Sequence, residues 1–571
     1  MATYSVSVAL TGSGGAGAMT AGQILLDSAS KAGFFGLMTR SMGPQIRGGE
    51  AAALVRISSV PISSLDDHYD LLVAFDWGNI TRFAAELPLS RDSLILADPE
   101  QGDIPEAVAR HGARVAELPL KALAGTIPGA RANMVGLGAV AALIGLPIDS
   151  LIAVLTVQLG RKGEEALAAS TEAVRAGARA AATLPALPKL PEAAPHDGQR
   201  WNISGNEAAG LGALKGGIKF VAAYPITPAT EILEWMAPAL EKTGGTLVQA
   251  EDELASINMV IGGSFAGLPS LTATSGPGLS LMIESLGLAV ASETPLVVID
   301  VMRGGPSTGI PTKSEQSDLN IAAFGLHGDA PHLVVAPNSA TDCLSATQWS
   351  VYLAEALQTP AIVLSDQAMG QSRVIIDKPA DSPYVASRLV APAGDGQYRR
   401  YALTDSGISP MAIPGTPGSN YVADGLEHNE KGTPSSQAGD HLAQLDKRSR
   451  KLDSFDYGDN WADIEGDGDI AVITWGSVTG PVREALARAR ARGQKVKLIS
   501  LRLILPALPG KMEQALAGVG RVLVVEQTHS QQFAKFLRGH YTLPAEVSVF
   551  NRPGPLPIRP GEILTRLAAW E

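Results

Sequence analysis

Short apolar runs alternate with helix-like segments along most of the chain. Residues 6–10 and 71–75 are mostly apolar and have the length of a buried strand. Residues 133–144 are rich in glycine, alanine and other apolar residues, which predicts a packed helix. The same alternation recurs over 220–301 and 470–526. Repeated alternation of strands and helices predicts an α/β fold with parallel sheets.

The length of the chain, 571 residues, requires several domains because one hydrophobic core cannot organise so many residues. We therefore predict a multidomain α/β protein. The basic run KRSRK at 447–451 is interpreted as a solvated helix face. The predicted segments are an α/β domain at 1–185, a Pro-rich linker at 186–202, a second α/β domain at 203–379, an irregular connecting or lid segment at 380–466, and a third α/β domain at 467–571.

Charge and cysteine content argue against several functions. A net charge of −12 argues against nucleic-acid binding, which needs clustered cations. No apolar run approaches the ~20 residues that span a bilayer, and the N-terminus lacks the basic start of a signal peptide. Cys343 is the single cysteine, which suits a reducing, cytoplasmic compartment. One thiolate cannot hold an iron–sulfur cluster, which needs about four, and no metal site is predicted in this chain.

The most unusual pattern lies between residues 220 and 278. An apolar strand at 220–223 ends in Tyr-Pro-Ile-Thr-Pro at 224–228, where two prolines exclude both a helix interior and a central strand. The turn is therefore rigid and extended. Thr227 or Thr230 is expected to cap the helix that follows.

Three consecutive carboxylates, Glu251, Asp252 and Glu253, follow a strand predicted at 246–249. The helix that they open is almost uncharged and presents a face of small residues. Glu251 and Asp252 are interpreted as acids that favour the helix N-terminus through its dipole. Glu253 precedes apolar positions and is expected to point into the interior, where a carboxylic acid can share a proton with a ligand nitrogen.

A glycine-rich loop at 12–17, GSGGAG, formally matches the GxGxxG dinucleotide fingerprint. That motif needs an acidic residue at the end of the next strand, and the next predicted strand runs into Arg40 instead. The loop, which includes Gly14, is better interpreted as a cradle for a phosphate or a pantetheine group. Arg40 and Arg47 are cations suited to a phosphorylated ligand. Pairing of Arg47 with Glu50 is an equal alternative.

The loop at 303–320 is long, polar and glycine-rich, which suits a functional role. Its cations Arg303 and Lys313 are candidates for holding a carboxylate ligand. A solvated loop lysine is the equal alternative for Lys313.

Three motifs together resemble one enzyme family. They are YPITP at 224–228, EDELASINMVIGGSFAG at 251–267 and TSGPG at 274–278. The likeness continues through RGGPSTGIPTKSEQSDLN at 303–320 and HGDAPHLVVAPNS at 327–339. The combination resembles the pyrimidine-binding domain of thiamine-diphosphate-dependent 2-oxoacid:ferredoxin oxidoreductases. It is most similar to the α subunit of the 2-oxoglutarate type.

The resemblance extends to the rest of the chain. The loop at 41–58 resembles the γ domain of the same family, here fused ahead of the α domain, and 467–571 resembles the C-terminal domain of transketolase-like enzymes. In this family the γ domain helps to bind coenzyme A. The resemblance therefore makes Gly14, Arg40 and Arg47 the candidates for binding that co-substrate.

The resemblance also implies a thiamine diphosphate site. Glu253 and Thr227 would be its catalytic residues. Glu253 would hydrogen-bond the pyrimidine ring, and Thr227 would face the cofactor or the substrate carbonyl as a hydroxyl donor. Tyr224, Pro225 and Ile226 would line the cofactor.

The implied substrate is a 2-oxoacid, held by Thr227 and by Lys313 or Arg303. Relatives often have an arginine where PTK places Lys313, so the residue that holds the distal carboxylate stays open. The implied reaction is coenzyme-A-dependent oxidative decarboxylation of 2-oxoglutarate to succinyl-CoA and CO2, with electrons passed to ferredoxin, or the reverse carboxylation. Pyruvate or a branched-chain 2-oxoacid is the alternative substrate.

Parts of that machinery are missing from the sequence. The GDG at 466–468 lacks a partner asparagine for a diphosphate-bound Mg²⁺ and is interpreted as a turn. Mg²⁺ and a [4Fe–4S] cluster are therefore expected in a β subunit, and the family implies an (αβ)2 heterotetramer. Two alternatives of another class are an NAD-dependent dehydrogenase and a non-catalytic coenzyme-A-binding subunit.

Overall fold

The structure is a computed structural model, and its described residues fall into two compact units. The described residues are 4–43, 49–160, 163–193, 200–394 and 397–570. The first unit consists of 1–204, 371–380 and 556–565. The second unit consists of 205–370, 381–555 and 566–571.

The strands of the described residues are mostly short and apolar, as the sequence pattern predicts. In chain order they are β1 (Ser5–Ser13), β2 (Phe35–Met42), β3 (Glu50–Ser58), β4 (Leu71–Ala74), β5 (Leu94–Ala97), β6 (Arg114–Glu117), β7 (Arg200–Ser204), β8 (Phe220–Ala223), β9 (Thr246–Gln249), β10 (Ser270–Thr274), β11 (Leu296–Met302), β12 (Leu333–Val335), β13 (Pro360–Asp366), β14 (Arg373–Asp377), β15 (Ala462–Glu465), β16 (Ile470–Trp475), β17 (Val496–Leu501), β18 (Leu503–Leu505), β19 (Arg521–Glu526) and β20 (Glu546–Asn551).

Helices separate many of these strands. In chain order they are α1 (Ala18–Lys31), α2 (Glu106–Ala109), α3 (Leu120–Gly125), α4 (Ala132–Ile144), α5 (Ile148–Leu159), α6 (Glu164–Ala180), α7 (Gly205–Gly216), α8 (Thr230–Lys242), α9 (Glu253–Phe265), α10 (Gly276–Ala291), α11 (Leu319–Phe324), α12 (Asp342–Leu357), α13 (Gln367–Gln371), α14 (Ala438–Asp453), α15 (Thr479–Ala491), α16 (Pro509–Ala515), α17 (Gln532–His540) and α18 (Pro560–Ala568).

An eight-stranded sheet in the order β6-β5-β4-β1-β3-β2-β14-β7 forms the centre of the first unit. It is mixed, where parallel sheets were predicted: β3 pairs antiparallel with both β1 and β2, whereas β1, β4, β5 and β6 run parallel. A connection too short for a crossover helix joins β2 to β3, which favours the antiparallel pair. Fully buried Leu25, Val73 and Leu137 belong to the core of this unit.

Two strands from later in the chain complete this sheet. β7 pairs antiparallel with β14, and β14 pairs antiparallel with β2. The segment 200–202 is therefore a strand, where a linker was predicted, and 373–377 join the first unit instead of the second domain. Arg373 donates to the carbonyl oxygen of Asn202 at 2.8 Å across 171 positions of sequence. Such a pairing depends on a distant partner strand, so local composition did not indicate it.

The second unit contains a seven-stranded sheet in the order β18-β12-β13-β11-β10-β8-β9. All neighbouring pairs from β12 to β9 are parallel, and β18 adds an antiparallel edge. The central strands β10, β11 and β13 are buried along their whole length, and Val298 and Ile299 are fully buried, because helices cover both faces of a parallel sheet. The strands predicted at 220–223 and 246–249 have these bounds in the structure.

A second sheet of this unit has the order β15-β17-β16-β19-β20, with parallel pairs except at β15. Its strands and α15 correspond to the α/β pattern predicted after residue 467. Among the helices that the structure describes, none combines the length and the apolar character that crossing a membrane requires.

Helix α14 lies in the segment 380–466, and its lysines are buried. Lys447 is 0% and Lys451 2% exposed, so the prediction of a solvated face is wrong for both. Their spacing of four places them on one face of the helix. Both donate to the carboxylate of Glu293, which is itself fully buried at the end of α10. Charge alone suggested solvent exposure, but a buried acid elsewhere in the chain supplies the partner.

Candidate active site

The carboxyl ends of the parallel strands β8, β9, β10 and β11 lie at one edge of the seven-stranded sheet. From this edge the chain continues as the turn at 224–228, the acids at 251–253, the start of α10, and Arg303. Ligands of open α/β sheets bind at the carboxyl edge. The topology therefore brings the candidate residues of the second unit to the place where a site is expected.

Glu253 is the first residue of α9 and is only 7% exposed. Asp252 is the N-cap, and its side chain accepts a hydrogen bond from the N–H of Ala255 at 2.7 Å. The Glu253 side chain packs against α10, since a Cβ atom on Gly278 would lie 2.7 Å from Glu253 Cγ. Glycine at 278 thus leaves the space that the carboxyl side chain occupies.

The TSGPG motif opens helix α10. Gly276 and Pro277 are the first residues of the helix. Proline is favourable in the first turn because its missing N–H has no intrahelical partner there. The motif thereby presents the N-terminus of α10 at the same edge of the sheet as Glu253.

The turn at 224–228 is accessible at this edge. Tyr224 is 40% exposed. Thr227 is exposed, and Pro225 and Ile226 are half-buried. These four residues are therefore at least partly exposed at this edge of the sheet.

The predicted cap of the next helix is wrong. The N-cap of α8 is Ala229, and no side chain of the described residues caps it, so neither Thr227 nor Thr230 does so. The turn is held instead by side chains from other elements. Asn206, at the start of α7, donates to the carbonyl oxygen of Pro228 at 3.0 Å. The hydroxyl of Thr227 is thus left for a role at the site.

Arg303 follows β11 and is 6% exposed. Its guanidinium donates to the carbonyl oxygen of Thr227 at 2.5 Å and to that of Thr308 at 2.6 Å. Its Nε–H is buried without a partner among the described residues. Burial lowers the pKa of Arg303 from its ordinary value. Arg303 therefore joins the turn at 224–228 to the loop at 303–320.

Lys313 lies on the same loop and is half-buried. The loop folds back on itself: Gly304 N–H donates to the Lys313 carbonyl oxygen at 3.0 Å, and Ile310 N–H donates to the Gly304 carbonyl oxygen at 2.7 Å. The backbone of Lys313 is thus adjacent to the residue after Arg303. The structure brings the two candidate cations together at this loop.

A pair of acids beside Arg303 was missed by sequence reasoning. Asp300, on β11, and Asp318, just before α11, share a side-chain hydrogen bond. Burial and the neighbouring Asp318 raise the pKa of Asp300 well above its ordinary value, and burial also raises the pKa of Asp318. A single acid in an apolar strand was the available signal for Asp300. No local pattern indicated its partner.

The glycine-rich loop of the first unit is only partly free to bind an anion. Gly14 N–H donates to the Gly49 carbonyl oxygen at 2.7 Å. Asp76 accepts from both the N–H and the hydroxyl of Ser13. Arg40 lies on β2 near the same end of the sheet. Arg47 lies outside the described residues.

The strand order of the first unit argues against a dinucleotide-binding unit. β3 lies between β1 and β2, so the strands that flank the glycine loop and α1 are not neighbours. A Rossmann βαβ unit has these two strands side by side. Among the described residues, no group of three or more His, Cys, Asp or Glu side chains is placed to hold a metal ion.

A buried glutamate begins a helix at the same edge of the sheet as the accessible proline-rich turn, as the resemblance to a thiamine-diphosphate-binding domain implies. Sequence comparison agrees. Residues 211–447 match the family described as pyruvate flavodoxin/ferredoxin oxidoreductase, thiamine diP-binding. Residues 7–180 match pyruvate ferredoxin/flavodoxin oxidoreductase, and 468–554 match pyruvate:ferredoxin oxidoreductase core domain II.

Two relatives that match most of the chain define the family more closely. The chain is 34% identical to the α subunit of a 2-oxoacid:ferredoxin oxidoreductase of Aeropyrum pernix, over 78% of this chain and 74% of that protein. It is 33% identical to the 2-oxoglutarate oxidoreductase subunit KorA of Mycobacterium tuberculosis, over 86% of this chain and 80% of that protein. The chain belongs to the 2-oxoacid:ferredoxin oxidoreductase family. This membership confirms the predicted multidomain α/β fold class and the prediction of an oxidoreductase.

A solved structure resembles the chain along its whole length. The 2-oxoglutarate:ferredoxin oxidoreductase of Magnetococcus marinus, solved with 2-oxoglutarate, coenzyme A and succinyl-CoA bound, is 37% identical. The match has a TM-score of 0.92 and covers 99% of both chains. The likeness therefore includes the first unit as well as the second.

Proposed function

We propose that the chain is the α subunit of a 2-oxoglutarate:ferredoxin oxidoreductase. It would take part in coenzyme-A-dependent oxidative decarboxylation of 2-oxoglutarate to succinyl-CoA and CO2, with electrons passed to ferredoxin, or in the reverse carboxylation. The observation that carries the proposal is the buried Glu253, fitted against Gly278 at the carboxyl edge of the sheet. Full-length likeness to a 2-oxoglutarate:ferredoxin oxidoreductase supports the substrate class.

Thiamine diphosphate fits the second unit at this edge. When bound, it supplies the carbanion equivalent that decarboxylation of a 2-oxoacid needs and that no side chain provides. Glu253 would hydrogen-bond a pyrimidine nitrogen through its carboxyl group, and its buried position at the start of α9 suits that role. Tyr224, Pro225 and Ile226 would line the cofactor, which their accessibility supports.

The substrate would lie between the proline-rich turn and the loop at 303–320. Thr227 would donate its hydroxyl to the substrate carbonyl. The unpartnered Nε–H of Arg303 fits a carboxylate, because a buried donor without an acceptor is costly. Lys313, on the same folded loop, is the second cation that a dicarboxylate such as 2-oxoglutarate requires. Arg303 would therefore bind one carboxylate and Lys313 the other.

Coenzyme A would approach the first unit. Gly14, Arg40 and Arg47 are the candidate residues for its phosphates and pantetheine arm, with the two arginines as the cations. Asp76 already occupies the Ser13 N–H, so binding would depend on the arginines more than on the glycine loop.

The partner would be a β subunit that carries Mg²⁺ and a [4Fe–4S] cluster, in an (αβ)2 heterotetramer that reduces ferredoxin in the cytoplasm. The single cysteine of the 571 residues supports this division, since a cluster needs about four thiolates. Relatives named as α subunits support a multisubunit assembly. The site would be completed where the two subunits meet.

The experiment that tests the proposal uses the chain purified with its partner subunit. Coenzyme-A-dependent reduction of a viologen dye is measured with 2-oxoglutarate, pyruvate and a branched-chain 2-oxoacid in parallel. We expect strong turnover with 2-oxoglutarate and weak turnover with the other two. A preference for pyruvate would identify pyruvate, not 2-oxoglutarate, as the substrate. Absence of turnover with all three would overturn the assignment to this class of enzyme. Unchanged turnover of Glu253→Ala would favour a non-catalytic subunit.

A further inference from the structure

Asp300 and Asp318 form a pair of acids beneath the proposed substrate site. Asp300 is fully buried on β11, three residues before Arg303. Asp318 lies against the N-terminus of α10: a Cβ atom on Gly276 would be 2.6 Å from its Oδ2. The hydroxyl of Ser317 donates both to Asp318 Oδ1 and to the Arg303 carbonyl oxygen. The pair therefore connects β11, α10 and the substrate loop.

The pair has too few donors for two ionised carboxylates. Both oxygens of Asp300 and Oδ2 of Asp318 are buried without an N–H or O–H donor from another described group. Apart from the bond from Ser317, the remaining hydrogen bond is the one between the carboxyl groups of Asp300 and Asp318. A bond between two carboxyl groups requires a proton on one of them. Two uncompensated charges in contact inside a protein would be far less favourable than one shared proton.

The number of protons on the Asp300–Asp318 pair affects the binding of a carboxylate at Arg303. The two acids are the charged groups that act on the Arg303 guanidinium. Glu315, on the same loop, is the other charged group that interacts with Asp318. With one shared proton the pair carries a single negative charge, which balances Arg303. A carboxylate that binds at Arg303 adds a second negative charge to this nearly closed environment.

We propose that Asp300 and Asp318 act as a proton-holding pair, and that binding of a substrate carboxylate at Arg303 draws a further proton onto them. Both are positioning residues, because they act through Arg303 and do not touch the reacting atoms. The added negative charge favours the protonated form of the pair. The inference deepens the proposed function and depends on it, since it places a carboxylate at Arg303.

Calorimetry on the unmodified complex tests the proposal directly. The chain with its partner subunit is titrated near neutral pH with glutarate, which keeps two carboxylates and lacks the reacting oxo group. The titration is repeated in buffers of low and high ionisation enthalpy. We expect net uptake of up to one proton per site. Binding without net proton exchange would overturn the inference while leaving the proposed function intact.

Two variants locate the proton. In the double variant Asp300→Asn/Asp318→Asn no carboxyl group remains in the pair, so the pair can no longer take up a proton. Uptake should then disappear. The matched control, Asp329→Asn, removes an exposed carboxylate from the turn that follows α11 and should leave uptake unchanged. Equal uptake by the double variant and the unmodified complex would contradict the assignment.

Steady-state kinetics separate this role from a structural one. Coupling to one proton makes the KM for 2-oxoglutarate rise with pH, by at most about tenfold per unit. The double variant Asp300→Asn/Asp318→Asn should remove this slope and change kcat little. A fall in kcat that is equal at all pH values would indicate a structural role and overturn the proposal. Absence of turnover with any 2-oxoacid would instead contradict the proposed function.

Discussion

At the scale of single residues, the position of Glu253 depends on its two neighbours in space. Asp252 caps the N-terminus of α9, and Glu253, the first residue of that helix, is buried. Gly278 leaves room for the side chain on the α10 side. The position of the Glu253 carboxyl group therefore depends on the Asp252 cap and on the lack of a side chain at Gly278.

Replacing Glu253 with glutamine tests the acid. We expect kcat of the complex to fall by about 10²- to 10⁴-fold, because an amide of the same shape cannot exchange a proton with a ligand nitrogen. The measurement is coenzyme-A-dependent viologen reduction with 2-oxoglutarate. Glu251→Gln is the matched control, since it removes the same charge from an exposed neighbour and should retain activity. Equal activity of the two variants would exclude Glu253 from the mechanism.

Replacing Gly278 with alanine tests the space around the acid. The new Cβ would lie 2.1 Å from Thr274 Oγ1 and 2.7 Å from Glu253 Oε1, so both side chains must move. We expect activity to fall by about 10²-fold through misplacement of Glu253. Overpacking should also lower the free energy of unfolding by about 1–3 kcal/mol.

The control for this variant is Gly287→Ala on the same helix, α10. A Cβ atom at 287 would have no neighbour within 4 Å, so alanine should leave activity unchanged. Its higher helix propensity should raise stability by up to about 1 kcal/mol. Loss of activity in both variants would point to α10 as a whole and not to Glu253.

At the scale of elements, buried ion pairs attach helix α14 to the end of α10. Lys447 and Lys451 donate to the two oxygens of Glu293, and Lys451 also donates to the carbonyl oxygen of Gln358 at 2.7 Å. Arg400 donates to the Glu293 carbonyl oxygen at 2.8 Å. The Glu293 carboxylate is therefore one of the points at which the irregular segment that contains α14 attaches near the end of α10.

Glu293→Gln should destabilise this attachment. Removing one partner leaves two buried lysines without a counter-charge, which costs about 3 kcal/mol or more. Urea unfolding at pH 7 measures the free energy of unfolding, and limited proteolysis of 380–466 reports the local effect. Arg399→Gln is the control, because its ion pair with Glu430 is largely exposed and should contribute less than about 1 kcal/mol. Equal losses in both variants would contradict the docking role.

At the scale of the whole molecule, acid stability follows from the same group. Burial opposes ionisation of Glu293, but Lys451, Lys447 and Arg400 outweigh burial and hold its pKa well below the ordinary value of 4.5. A depressed carboxyl pKa adds stability that is present above the unfolded pKa and is lost as the pH falls below it. The fold should therefore lose part of its stability below about pH 4.5 through this one acid.

Unfolding at several pH values tests this dependence. The difference in unfolding free energy between the unmodified chain and Glu293→Gln should be largest between pH 5 and 7 and should shrink towards pH 3. Urea titrations at pH 7, 5, 4 and 3 provide the comparison. A difference that stays constant down to pH 3 would show that folding does not lower the pKa of Glu293.

The sequence by itself determined the local elements and the motif that carries the chemistry. Apolar runs bounded by glycine and proline located β8 to β11, since strand formation there depends on neighbouring residues. The order of YPITP, the acids at 251–253 and TSGPG indicated the family and Glu253. These features are local in sequence. Because ligands of open α/β sheets bind at the carboxyl ends of the strands, the sequence also predicts that these features lie at one edge of the sheet.

Only the tertiary structure decided which distant groups meet. The pairing of β7 and β14 with the first sheet, the contact of Asp300 with Asp318, and the burial of Lys447 against Glu293 all join segments far apart in sequence. Side-chain charge predicted exposure for the lysines, because a buried ion is unfavourable unless a partner is present. The partner comes from another element, so local sequence patterns do not identify it.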